Sequence, residues 1–133
     1  MKVTYIDHIV LTVHDIDATV AFYESVLGMT AESFGNGRIA LKFGNQKINL
    51  HEYGHEFEPK AGNPLPGSQD LCFITEMPLQ DAMDHVKDQG VAVLEGPVQR
   101  TGARGPIMSF YFRDPDGNLV EIANDADVYD EGS

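Results

Sequence analysis

Two histidines and two carboxylates carry the chemistry that this 133-residue sequence can offer: His8 in DHIVL, His51 in INLHE, Asp70 in QDLCF and Glu121 in NLVEI. A neutral imidazole and a carboxylate are good donors to a borderline divalent cation, and two histidines with one carboxylate leave coordination positions open for water or substrate. His8, His51 and Glu121 are therefore the expected core of a metal site. Asp70 is the candidate fourth ligand, which would leave an octahedral ion free to meet two neighbouring substrate oxygens. Such an ion is a Lewis acid that stabilises charge developing on an enediolate, an alkoxide or a catecholate. The expected cofactor is one divalent metal ion, Zn, Ni, Mn or Fe, and Glu121 is the candidate to move a proton.

A second feature is QRTGARGPIMS, where Arg100 and Arg104 bracket a glycine-containing loop in an otherwise acidic chain. Guanidinium forks bind carboxylate or phosphate bidentately, so the functional reading is an anionic substrate group. The structural reading is a solvated turn whose arginines offset nearby acids.

These residues must be held by regular elements. YIDHIVLTV is rich in β-branched residues and reads as a strand, after which Ile16, Val20, Tyr23 and Leu27 recur at helical spacing between Asp15, an N-cap, and Gly28, a stop. Extended runs follow around residues 29–34, 38–43 and 47–53, separated by the turns GNG and GNQ. EPKAGNPLPGS, with three prolines and two glycines, is a linker over residues 58–68. The same order then repeats: QDLCFIT is a strand, Pro78 opens a helix with the stripe Leu79, Ala82, Met83 and Val86 that ends at Gly90, and VAVLEGPV, GPIMSFYF and GNLVEIAN are strands. DPDG is the turn before the last strand.

The expected architecture is thus α+β, two tandem βαβββ units forming a curved mixed sheet cup around a metal site. It makes one domain over 1–133, with unit one at 1–57, unit two at 69–124 and an acidic tail at 125–133. The repeat, with a period of roughly sixty residues, places His8 opposite Asp70 and His51 opposite Glu121. Alternation along each strand turns His8, His51 and Asp70 away from the apolar, helix-packing face.

A formal net charge of -12 disfavours nucleic acid and anionic membranes, and no apolar run approaches the ~20 residues of a transmembrane helix. A cytoplasmic location is expected. The single cysteine, Cys72, sits in an apolar run, cannot form an internal disulfide, and reads as buried packing.

DHIVLTV, AFYESVLGM, the duplicated βαβββ order and FRDPDGNLVEI resemble the vicinal oxygen chelate superfamily of glyoxalase I, extradiol dioxygenases and bleomycin or fosfomycin resistance proteins. FGNQKINLHEYG and GPVQRTGARGPIMSFYFRDPDGNLVE are similar to the subgroup of glyoxalase domain-containing protein 5 and its bacterial relatives. The resemblance implies a small-molecule partner, a homodimer, and either a lactoylglutathione lyase-like isomerase or lyase or a ferrous ring-cleaving dioxygenase. A third possibility it implies is a ligand-sequestering binding protein. Glyoxalase I carries histidine, glutamate, histidine and glutamate at the four ligand positions, where this chain reads His8, His51, Asp70 and Glu121. With His51 included, a two-histidine, one-carboxylate set suited to iron is present.

Overall fold

The computed structural model describes residues 1–125 and Val128; the rest of the acidic tail lies outside the described residues. The chain forms two compact units, Met1–Ser68 and Gln69–Ser133. Unit one runs β1 (His8–Val13), α1 (Ile16–Leu27), β2 (Thr30–Phe34), β3 (Arg38–Phe43) and β4 (Gln46–Glu52). Unit two runs β5 (Asp70–Ile74), α2 (Leu79–Asp88), β6 (Glu95–Gly102), β7 (Gly105–Arg113) and β8 (Leu119–Asn124). Each unit is a four-stranded mixed sheet, in the orders β1-β4-β3-β2 and β5-β8-β7-β6, so the fold is α+β as expected, and neither sheet is a closed barrel.

In unit one the helix is set locally. Asp15 Oδ1 accepts the Ala18 N–H at 2.9 Å, and Gly28 takes the left-handed φ of 67° that ends the helix. The crossover makes β1 parallel to β4. The odd-numbered side chains of β1 and β3 and the even-numbered ones of β4 bury Leu11, Val13, Leu41, Ile48 and Leu50 beneath Tyr23 and Val26 of α1.

Unit two repeats this logic, with Phe110, Phe112, Val120 and Ile122 buried on the side of Ala82, Met83 and Val86 of α2. One boundary differs from the sequence expectation. The strand expected over 91–98 begins at Glu95 and continues through Arg100 to Gly102, because its ladder with β7 pairs Arg100 with Ile107 and Gly102 with Gly105. Arg100 is thus a strand residue and Arg104 sits in the tight turn, rather than both bracketing a loop. Gly96 lies where β6 crosses closest to β7: a Cβ there would stand 2.6 Å from that of Phe110.

The turn before β8 is built by buried polar groups. Asp114 Oδ1 accepts the N–H groups of Asp116 at 3.0 Å and Asn118 at 2.9 Å, while its Oδ2 accepts Asn118 Nδ2 at 2.8 Å. Asn118 Oδ1 in turn accepts the Gln69 N–H at 2.9 Å, tying the start of β8 to the start of β5. Glu121 follows three residues later on a strand whose register is fixed at its first rung.

Candidate functional site

The face of the unit two sheet turned away from α2 holds a cavity of about 490 Å³, lined among others by Cys72, Arg100, Arg104, Tyr111, Glu121 and Asp125. Glu121 lies at its chemical centre because of the ladder: its rung partner on β5 is Cys72 and its rung partner on β7 is Tyr111. Both neighbours hydrogen-bond to its carboxylate. Partial desolvation against the cavity wall, and then the Glu121 charge, push the Cys72 thiol up to about 11, although the residue is open to solvent on its cavity side. Burial also raises Tyr111, where the charge of Glu121 adds and the hydrogen bond from Arg100 opposes. Thiol and phenol therefore both remain protonated at neutral pH, as donors facing one carboxylate.

A chain of contacts extends outward from this group. Arg100 Nε donates to the Tyr111 hydroxyl at 3.1 Å, and Arg100 Nη2 donates to Glu95 Oε1 at 3.1 Å. Arg104 Nη1 donates to Asp125 Oδ2 at 3.0 Å, with the Arg104 side chain largely in solvent. Both arginines singled out in the sequence thus line the cavity, and each is already paired with a carboxylate.

The four ligand candidates are placed differently. In unit two, Asp70 is exposed at the start of β5, two rungs before Cys72 on the same face. In unit one, His8 is exposed at the start of β1, its Nδ1 2.8 Å from Asp7 Oδ1, which leaves Nε2 available. His51 stands at a different rung from the one the repeat assigns. The rung level with Val10, two beyond His8, holds Asn49, just as the rung level with Cys72, two beyond Asp70, holds Glu121. Asn49, not His51, is therefore the repeat equivalent of Glu121.

His51 pairs with Thr12, four rungs from His8, or about 13 Å along the sheet at ~3.3 Å per rung. It is only 3% exposed, with its ring edge-on to Phe57 at 5.7 Å. His8 and His51 of one chain are thus not brought together on one ion. Among the described residues no three His, Cys, Asp or Glu side chains are clustered to hold a metal.

Cys72 and Tyr111 are the residues missed at the sequence level. Cys72 was expected as buried packing, but it is exposed on the cavity face. Alternation in GPIMSFYF would have found Tyr111, since Phe110 and Phe112 face the core and leave Tyr111 on the side of Glu121.

Residues 5–122 match the family model described as the Glyoxalase/Bleomycin resistance protein/Dioxygenase superfamily. The chain is 58% identical to virulence protein STM3117 of Salmonella typhimurium, over 92% of this chain and 85% of that protein. It is 55% identical to glyoxalase domain-containing protein RDO1 of Mycosarcoma maydis, over 96% of this chain and 72% of that one. Among solved structures, the V. cholerae integron cassette protein VCH_CASS1 superposes with a TM-score of 0.92 at 67% identity, covering 93% of this chain and 97% of that one.

Proposed function

Since the chain belongs to the glyoxalase/bleomycin resistance protein/dioxygenase superfamily, we propose that it is a cytoplasmic, homodimeric, divalent-metal-dependent glyoxalase-like enzyme, a lyase or isomerase. Its substrate is a small molecule with vicinal oxygens and an anionic group. The observation that carries this reading is Glu121 in a 490 Å³ cavity between two protonated donors.

The ligands this reading assigns are His8, Asp70 and Glu121, donor types that suit a divalent ion. His8, Asp70 and Glu121 supply one imidazole and two carboxylates, none sealed in a core and each at the repeat position expected for a donor. His51 does not fit, being buried and off the register. The ring-cleaving dioxygenase alternative would use His51 as a second histidine ligand beside His8. When bound, the ion supplies Lewis-acid polarisation of a substrate oxygen.

The remaining steps belong to the chain. Glu121 accepts the proton of a hydroxyl-bearing carbon next to a carbonyl and returns it to the carbonyl carbon, while the hydroxyl proton passes to the carbonyl oxygen, so that the two oxygens exchange oxidation level. Tyr111 and Cys72 fix the carboxylate through their hydrogen bonds, and Arg100 holds the Tyr111 hydroxyl in place. Arg104, at the solvent side, is the residue to meet an anionic group of the substrate, sharing its guanidinium with Asp125.

Elemental analysis of the purified protein tests this reading. Wild type should carry about one divalent ion per chain, His8→Ala and Glu121→Ala should lose it, and His51→Ala should keep it. No bound metal in wild type, or equal metal content in all four proteins, would overturn the metal assignment.

A further inference from the structure

Glu95 opens β6 beside the cavity and has no part in the steps derived above. Its rung partner on β7 is Tyr111, whose own partner on β8 is Glu121, so the three side chains share one face of the sheet. Arg100, further along β6, pairs with Ile107 and lines the cavity on that same face. Glu95 and Arg100 are five positions apart, and strict alternation would turn them to opposite faces. A bulge cancels the parity, because the register slips between Glu95 and Val98 while β7 runs only from Tyr111 to Ser109. Gly96 makes this slip at a φ of 124°, so close to β7 that an added Cβ would lie 2.7 Å from the Ser109 carbonyl oxygen. The extra residue therefore aims Glu95 at Arg100, which a regular strand of the same sequence would not do.

The Arg100 guanidinium is held on all three nitrogens. Nε donates to the Tyr111 hydroxyl, Nη1 to the Gln99 carbonyl and Nη2 to Glu95 Oε1, each at 3.1 Å. Of these acceptors only Glu95 is charged, so it is the strongest of the three anchors. The Glu95 and Arg100 side chains are 57% and 42% exposed, so their attraction adds little to stability and its consequence is orientation.

That orientation reaches Glu121 through a single proton. A guanidinium donates and never accepts, so the Tyr111 oxygen must accept from Arg100 Nε. The phenol has one O–H, which is thereby turned away from Arg100 and toward the Glu121 carboxylate with which Tyr111 hydrogen-bonds. Glu95 also answers the Arg100 charge from the outer side, which leaves a neutral phenol and not a guanidinium against Glu121. A guanidinium in direct contact would occupy both carboxylate oxygens and lower their basicity.

We propose that Glu95 is a positioning residue for Glu121: set on the cavity face by the bulge, it anchors Arg100 so that Tyr111 aims its O–H at the Glu121 carboxylate. The bearing of this chain on proton transfer rests on the role given to Glu121 above, whereas its geometry does not.

Nuclear magnetic resonance of the full chain, labelled at arginine Nε and tyrosine Cζ and kept at neutral pH without added metal or substrate, tests it. In wild type the Arg100 Nε–H should exchange slowly with solvent. Glu95→Gln and Tyr111→Phe should each speed that exchange about fivefold or more, as for a charged hydrogen bond reduced by solvent screening. Glu95→Gln should also move the Tyr111 Cζ resonance and leave those of Tyr5, Tyr23 and Tyr53 in place. On an Arg100→Met background the same change should no longer move Tyr111, because Glu95 acts only through Arg100. Dispersed spectra report the folding of each variant, and the metal content of wild type and Glu121→Ala tests the role of Glu121 separately. An Arg100 exchange rate unchanged in either variant, a Tyr111 resonance indifferent to Glu95→Gln, or an equal Tyr111 shift on the Arg100→Met background would overturn the inference.

Discussion

His51 is disfavoured from taking a proton first by its burial and second by the Arg38 charge, and the acids Glu56 and Glu58 only partly oppose this. Its pKa is therefore below the usual 6.5 in the folded chain. An unfolded chain binds this proton at higher pH than the folded one, so folded stability is complete above the unfolded pKa and declines as pH falls below it. His51→Gln should flatten this decline between pH ~6.5 and the lower folded value. Denaturant melts of both proteins at a series of pH values check it, and parallel curves would show that His51 does not protonate on unfolding. Glu121 shows the opposite use of a neighbourhood: its two rung partners are held neutral, so they donate to the carboxylate instead of competing with it for cations.

At the scale of elements, the placement of Glu121 depends on the turn that feeds β8. Asp114 and Asn118 are buried, at 6% and 1% exposure, and satisfy one another and the Gln69 N–H. Asn118→Ala removes hydrogen bonds inside a buried network and leaves the Asp114 carboxylate short of a donor. The expected loss is about 2–4 kcal/mol of unfolding free energy, measured by urea denaturation. A change under 0.5 kcal/mol would mean that the turn is held by its backbone alone. The other end of β8 is anchored similarly, by Asn124 Nδ2 donating to the carbonyls of Thr75 at 2.9 Å and Met77 at 2.8 Å. Capping residues and turn types of this kind were legible in the sequence, as Asp15, Gly28 and DPDG show. The reach from Asn118 to Gln69 was not, because it joins positions far apart in the chain.

At the scale of the whole molecule, the homodimer is the prediction to test. Each sheet ends on its first strand, β1 or β5, so each has an outer edge outside its own ladder. Ahead of β1, Met1, Val3, Tyr5 and Ile6 are exposed apolar side chains in a row, a surface of the kind that marks association. Sedimentation velocity should give twice the mass of one chain. Val3→Asp with Ile6→Asp should shift the protein toward the monomer, and a wild type that sediments as a monomer at tens of micromolar would remove the dimer from the proposal.

By itself the sequence determined the α+β class, the duplicated βαβββ order and the core faces, since periodicity and alternation are local properties that neighbouring side chains impose. Only the tertiary structure decided which residue of INLHE stands level with Glu121's position. Asn49 and His51 have the same parity, so alternation accepts either. The choice belongs to the ladder between β1 and β4, where hydrogen bonds and the packing of Leu11, Ile48 and Leu50 fix the register. The same long-range pairing decided that Cys72 and Tyr111 flank Glu121, and that His51 lies buried among aromatic and cationic side chains, out of reach of His8.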